Sequence, residues 1–338
     1  MAIKILKNNT LWMESDAIQQ LENISGLEYV ENVIGLPDLH SGKVPVGTTI
    51  QTKNAIYPFF IGNDIGCGMA LFDTNIKMKR FDLNSFSKKL EGTCIQGEYS
   101  IGGGNHFAEL QCIEKIYNKE HAENCNLNKK HLYLLVHSGS RNLGNQIYSK
   151  YASVKALHKD SEIFQQYLNE HNYALGFAKE NRKQVANALM DIIGIKYDNH
   201  LIVDCFHNVI SEHEGKYYHH KGSISTFDNE YAIVAGSRGT YSYLVKCKPK
   251  EESLYSISHG AGRKWPRHLC KGRLLSKYKK DELKTTKLGG RVITDKKELY
   301  YEEASEAYKD VEEVIQILLE NDLIEVVARL KPLITYKC

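Results

Sequence analysis

None of the eight cysteines forms a CxxC pair, so the tight ligand pairs of a structural zinc finger are missing. No stretch approaches the roughly 18 consecutive apolar residues that suggest a membrane span. The opening "MAIKILKNNTLWMESD" has neither the apolar core nor the small-residue cleavage site of a secretory signal. The expectation is a cytoplasmic protein whose cysteines are thiols or metal ligands rather than disulfides. The phosphate loop GxxxxGK[ST] is absent too, so any nucleotide is held by another device. The six prolines are scattered, and there is no low-complexity segment or fixed-period repeat, which argues against a disordered spacer.

With 42% hydrophobic and 25% charged residues, the 338-residue chain reads as globular, with enough apolar material for a sizeable core. A net charge of +3 is too mild to imply nucleic acid. Its distribution says more: "RKWPRHLCKGRLLSKYKK", residues 263–280, carries only basic charges, whereas "KKELYYEEASEAYKDVEEV" is mostly acidic. The basic run reads as a solvated face or as a face for a phosphodiester chain.

Four segments share one grammar, a short apolar run followed by polar residues and usually glycine. "AIYPFFIG" leads to "NDIGCG", "HLYLLV" to "HSGSRNLG", "LIVDCF" to "HN", and "YAIVAG" to "SRGTYSY". Such β-branched and aromatic runs read as buried strands, with the reactive residues at their ends. Residues 144–192 read as helical. Val311, Val314, Ile315, Leu318 and Leu319 form the apolar stripe of an amphipathic helix. "LIEVVARL" alternates with period two, with Ile324, Val326, Ala328 and Leu330 on one face. Helices grouped around mixed strands indicate an α+β fold.

Cys67 lies between glycines, three residues after Asp64, and histidines occupy similar settings: His106 in "GGGNHFAEL", His137 in "HSGSR", His207 in "CFHN", His259 in "SHGAGR". Imidazole, thiolate and carboxylate together suit zinc or manganese. Ligands spread from residue 64 to residue 207 fit a catalytic site assembled by the fold, and one thiolate can bridge two metals of the kind that act on phosphates. "GGGNH", "AGSRG" and "HGAG" read as anion nests or as tight turns. Arg141, Arg238, Arg263 and Arg267 beside them are planar forks suited to phosphate. The remaining cysteines read as ordinary thiols, and Tyr217–Tyr218 as a strand pair.

In order, the blocks "LPDLHSGKVPVG", "IGNDIGCG", "GGGNHFAE", "LVHSGSRNLG", "FHN", "HHKGS", "AGSRGTYSYLV", "SHGAGRKWPR", "EAYKDVEEV" and "ARLKPLITYK" resemble the RtcB family of RNA ligases. They run from about residue 35 onward, and the wording "GNDIGCG" is most similar to the release factor H-coupled branch. The resemblance implies a single RtcB-like catalytic domain over 1–338, with mixed β-sheets, surrounding helices and an active site of loops at strand ends. It implies joining of RNA 2′,3′-cyclic phosphate or 3′-phosphate ends to 5′-hydroxyl ends, with GTP as co-substrate and two Mn²⁺ ions. It also implies an archease-like activator or a release-factor-like protein as partner, with repair of cleaved RNA or tRNA splicing as the setting.

By the same resemblance, Cys67 bridges the two metals, with His137 and His207 at one and Asp64 and His106 at the other. His259 is the nucleophile that forms a histidine–GMP intermediate, Asp38 a catalytic carboxylate, and Arg141, Arg263 and Arg267 catalytic arginines. The nucleotide contacts implied are Asn105, His106, Phe107, Ala108, Glu109, His207 and Asn208. Further along they are Ala235, Gly236, Ser237, Arg238, Ser242, His259 and the backbone of Gly260, Ala261 and Gly262. Tyr308 stacks on guanine and Lys337 reaches its edge. Two departures bear on RNA specificity: Arg238 stands where the family commonly has methionine, and His220 where it has arginine. The rival readings are a two-metal phosphoesterase, although the chain lacks the GDxxD block such enzymes need, and a catalytically silent RNA-end binding module.

Overall fold

The computed structural model describes residues 2–195 and 200–338. Its largest sheet runs in the order Tyr231–Val234, Ser242–Cys247, Ile324–Tyr336, Phe107–Ile116, His131–Ser138, Gly68–Lys77, His200–Phe206, with Arg291–Ile293 pairing beside Ile324–Tyr336. An interior strand of it, "HLYLLVHS", is buried almost throughout. That suits a strand covered on both faces, which needs a continuous apolar run rather than alternation. Leu132, Leu134 and Val136 face helix Glu162–Ile193 through Val185, Leu189 and Met190. Tyr133 and Leu135 face the opposite core, shared with Val314, Ile315 and Leu318 of helix Val311–Glu320.

Because side chains alternate across a strand, this parity decides where the reactive residues go. Met69 and Leu71, Tyr133 and Leu135, Val203 and Cys205 all belong to the second core. Cys67, His137 and His207 continue those odd-numbered rows and so reach one face at neighbouring strand ends. A second sheet, Ala2–Ile5, Val30–His40, Val46–Lys53, Lys216–Lys221, Asn208–His213, brings Asp38 to that face. The architecture is α+β with mixed sheets, since Ala2–Ile5 and Arg291–Ile293 pair in parallel and most other strands antiparallel. Among the described residues no helix is long and apolar enough to cross a membrane.

Several local expectations differ. In "AIYPFFIG" only Ala55–Ile56 is a strand, and Pro58–Ile61 is a helical turn. Proline has no N–H for a ladder, while its fixed φ suits the first position of a helix. Residues 144–192 are two helices, Arg141–Tyr151 and Glu162–Ile193, because Leu157 leaves the helical path to pair with Ile56. In the strand Ile324–Tyr336 the period-two face breaks between Val326 and Ala328, where the register against Ser242–Cys247 shifts. Val327 is buried there and Val326 is only half-buried. The amphipathic stripe of helix Val311–Glu320 holds except at Leu319, which is exposed while Ile317 is buried.

Candidate active site

Cys67 is fixed by backbone geometry. Gly66 has φ +72, with no room for a side chain against Ala178, and a Cβ on Gly68 would lie 2.5 Å from the carbonyl oxygen of Cys205. The Cys67 carbonyl accepts the N–H of His207 at 2.8 Å, which ties two of the reactive residues together through the main chain. Arg182, fully buried on the long helix, donates to the carbonyls of Gly66 at 2.9 Å and Ser138 at 2.8 Å and pairs with Asp204. The glycines beside Cys67 therefore admit a close crossing of strands, and Arg182 clamps the ends of two of them.

The five expected metal ligands converge. Cys67 Sγ lies 3.2 Å from His106 Nε2 and 3.2 Å from His137 Nε2. His137 Nε2 lies 3.2 Å from His207 Nε2, and His106 Nε2 lies 2.9 Å from Asp64 Oδ2. Two groups form, Cys67–His137–His207 and Asp64–Cys67–His106, sharing the thiol. Donors about 2.0–2.3 Å from one ion stand at roughly such separations from one another. Burial, reinforced by the neighbouring imidazoles, pushes His137 and His207 well down, so both are neutral and ready to ligate. Burial would raise Asp64, but His106 outweighs it and holds the carboxyl well below the usual range. Burial and Asp64 push the Cys67 thiol up, so without a cation it keeps its proton.

His259 stands beside this cluster, its ring centroid 4.7 Å from that of His207. Its Nδ1–H donates to Oδ2 of the fully buried Asp38 at 2.7 Å, which leaves Nε2 free. Lys309, which sequence reasoning passed over, donates to the carbonyls of Pro37 at 3.1 Å and Leu39 at 2.5 Å and so brackets Asp38. Burial lowers its pKa to about 8.

Cys67, His137, His207 and His259 open into a cavity of about 280 Å³. Its wall also includes Asn105, Phe107, Glu109, Asn208, Ala235, Gly236, Ser237 and Arg238, with Gly260, Ala261 and Gly262. The "AGSRG" and "HGAG" loops are stitched together by hydrogen bonds from Ala235 N–H to the His259 carbonyl and from Ala261 N–H to the Ala235 carbonyl. Ser242 lies behind this wall and accepts the Gly236 N–H at 3.2 Å. Ala108 turns into the core on the other face of the sheet. Arg238 is buried, donating to the carbonyls of Leu299 and Tyr300. His220 lies in a buried knot with Thr49, Ser223 and Ser256.

The arginines are placed less simply than expected. Gly102 and Gly104, both with positive φ, carry guanidinium groups on their open faces: a Cβ would lie 2.1 Å from Arg141 Cζ in one case and 2.3 Å from Arg267 Nη1 in the other. "GGGNH" is thus floored by cations. Arg141 donates to His106 Nδ1 at 3.0 Å, and Arg267 to Asn105 Oδ1 at 3.3 Å. Arg263 is held by Glu303 and by the carbonyls of Glu302 and Trp265.

Glu303, which the sequence hid inside an acidic run, is 4% exposed. It gathers Arg263, Arg267, Tyr308 and Lys337 around one carboxylate. Burial would raise it, but Lys337 and the two arginines hold it below the usual range. Lys221 also went unmarked in the sequence; it is half-buried at the cavity wall and donates to the Ile61 carbonyl at 2.7 Å. His40 also lines the cavity, with burial lowering its pKa to about 4. Both were visible in the sequence only as members of longer blocks.

The family pattern described as "tRNA-splicing ligase RtcB" matches residues 20–99 and 94–338. The chain belongs to the RtcB family. It is similar to "RNA-splicing ligase RtcB2" of Escherichia coli strain ATCC 25922, at 40% identity over 99% of this chain and 96% of that protein. It is also similar to "RNA-splicing ligase RtcB" of Escherichia coli K12, at 27% identity over 96% of this chain and 95% of that protein. "tRNA-splicing ligase RtcB" of Nanoarchaeum equitans is 26% identical over 96% and 92%. In this RtcB-family chain the cavity brings together a shared-thiol ligand cluster, a carboxylate-held histidine and an arginine-rich wall.

Proposed function

We propose that this protein is a GTP- and manganese-dependent RNA ligase that joins 2′,3′-cyclic phosphate or 3′-phosphate ends to 5′-hydroxyl ends. The observation that carries the reading is the Asp38–His259 pair opening into the same cavity as the Cys67 cluster. A phosphoesterase uses a carboxylate-held imidazole as a proton donor to the leaving oxygen, whereas nucleotidyl transfer uses it as a nucleophile, and the ligase names of the relatives favour the nucleophile. The names of the relatives, RNA- and tRNA-splicing ligases, support RNA as the substrate class.

Asp64, Cys67, His106, His137 and His207 would hold the metal ions, which supply Lewis-acid neutralisation of phosphate charge. His259 Nε2 attacks the α-phosphorus of GTP, forming a P–N bond as the bond to the β-phosphate oxygen breaks and pyrophosphate leaves. Asp38 keeps the proton on Nδ1 and stabilises the ring as positive charge develops. An oxygen of the RNA 3′-phosphate then attacks the same phosphorus, breaks the P–N bond and restores the imidazole. The RNA 5′-hydroxyl attacks the activated 3′-phosphate, forming the phosphodiester and expelling GMP. With a cyclic end, hydrolysis to the 3′-phosphate comes first. The "AGSRG" and "HGAG" loops and the Glu303-held arginines orient the phosphates.

Glu109 and Lys337 would read the base, the carboxylate accepting from guanine N1–H and N2–H and the ammonium donating to O6. Burial raises Glu109 to about 7, against the hydrogen bonds from Thr335 and Gln111 that favour its ionised form. A protonated carboxyl has one oxygen fewer to accept with, so GTP binding requires its proton to leave. GTP affinity is expected to rise from pH 6 to pH 7 and level off above, with Kd falling by up to roughly tenfold per pH unit on the steep side. Fluorescence titration of GTP across this range checks it, beside a Glu109→Gln control whose profile lacks this rise.

The function itself is tested by incubating the protein with a nicked RNA stem bearing a 2′,3′-cyclic phosphate and a 5′-hydroxyl, with GTP and Mn²⁺. A sealed product that appears with GTP and not with ATP is expected. Phosphate release without sealing would favour the hydrolase.

A further inference from the structure

The basic run of the sequence is only partly used by the cavity. Arg263 and Arg267 line the wall, and Arg267 is the outermost, its side chain 40% exposed. Beyond it, helix Arg267–Leu274 and the following turn carry Lys271, Arg273, Lys277 and Lys279, all exposed, with no acidic residue anywhere in 263–280.

Some exposed or half-buried bases elsewhere are neutralised: Lys248 pairs with Asp322 and Glu325, Lys246 with Glu230, Arg329 with Glu114. Among the described ion pairs none involves Lys271, Arg273, Lys277 or Lys279. Of the carboxylates near this element, Glu303 is engaged by the cavity cations, Glu306 by Tyr278 and Lys287, and Glu282 by the Lys279 N–H. Like charge next to itself costs stability, and an outside partner of opposite sign would relieve that cost.

The partner's form can be read from the spacing. Arg267 and Lys271 are one turn apart on one helix face, about 5–6 Å between their Cβ atoms, and the eight-residue helix is about 12 Å long. Arg273, two residues and about 200° around the helix from Lys271, carries charge to the other exposed flank, so the helix presents an elongated basic surface rather than a round anion pocket. Trp265 lies half-buried with Arg273 stacked on it at 5.0 Å, Arg273 standing one turn from Leu269 on that second flank, and Leu269 and Leu275 are 39% and 54% exposed. Cations on both flanks, with an aromatic ring and apolar side chains on one, suit a single strand crossing the helix, whose phosphates want charge and whose bases want flat apolar surface.

We propose that helix Arg267–Leu274 and the turn after it form the track that holds the single-stranded RNA segment running out of the active-site cavity. The proposal rests on the RNA-ligase reading above and adds where the strand lies. The track is separate from the chemistry, since Lys271, Arg273 and Lys277 touch none of the ligand cluster, His259 or the nucleotide wall.

The test uses the full chain, unaltered and as the triple variant Lys271→Gln, Arg273→Gln, Lys277→Gln. The probe is a fluorescein-labelled single-stranded RNA 12-mer with a 3′-phosphate, titrated at several salt concentrations. Loss of three phosphate contacts is expected to make the slope of log K against log salt shallower by about 2 and to weaken binding at low salt about tenfold or more. Thermal unfolding and formation of the GMP adduct without RNA are expected to stay as in the unaltered protein. RNA binding with the same slope in the variant overturns the track alone. No RNA binding by the unaltered protein overturns the RNA-ligase reading and the track with it. Equal binding of poly-glutamate of matched charge overturns the assignment to RNA and points to an acidic protein segment.

Discussion

Cys67→Ala is expected to abolish sealing and to empty both metal positions together. The reason is the shared thiol: Sγ is 3.2 Å from the nearest nitrogen of His106 and of His137, and it belongs to both ligand groups. Losing an outer-shell partner of a metal typically costs 10–100-fold in affinity or activity, and losing a ligand common to two ions costs more than that at each. His106→Ala, by contrast, should spare the Cys67–His137–His207 position, leaving about one ion bound. Metal content by mass spectrometry after dialysis against Mn²⁺ distinguishes the two patterns. Two ions retained by Cys67→Ala would show that the thiol is a packing residue. The same thiol also gives a sign for pH. Burial and Asp64 raise it, so a cation must displace a proton that the folded protein holds tightly. Metal affinity should therefore fall steeply as pH drops, and acid should empty the site before it unfolds the chain.

The second large effect is expected at Asp38. Asp38→Asn keeps the size of the side chain and can still accept from His259 Nδ1–H, but it removes the charge that stabilises the ring as the P–N bond forms. Positioned proton-holding groups typically contribute 10²–10⁴-fold, so formation of the GMP adduct should slow by about that factor. GTP affinity should change less than about twofold, because Asp38 lies behind His259 and does not line the cavity. Stopped-flow adduct formation beside equilibrium GTP binding separates these quantities. A large loss of GTP binding would assign Asp38 to holding the loop rather than the imidazole. Folding is a reason to choose asparagine over alanine. Lys309 is buried around Asp38, which is the main charge that raises its pKa, and a cavity beside an unpaired buried ammonium is costly.

Much of this site was legible because strand parity carries chemistry. "HLYLLV" reads as a buried strand and is one. "LIVDCF" reads the same way but lies at the sheet edge, with Leu201 exposed and only Val203 and Cys205 buried. The histidines just past both, with Cys67 before "MALF", nevertheless follow the odd rows that face one core. The local signal failed where a residue's partner is remote. Glu303, Lys309 and Arg182 look like ordinary surface charges in sequence, yet each is buried because opposite charges or carbonyls arrive from far along the chain. The glycines of "GGGNH" suggested an anion nest, and no local rule could have shown that Arg141 and Arg267 fill that space. Pro58 and the irregular register at Val327 mark where one residue overrides the pattern around it.

The measurement to make is the intact mass of the purified protein after incubation with GTP and Mn²⁺, beside a His259→Ala control. An acid-labile addition of one GMP, absent from the control, is the predicted result and places the nucleophile at His259. No addition in a protein shown to carry both metal ions would contradict it, and the Cys67 cluster would then have to be explained as a hydrolytic centre.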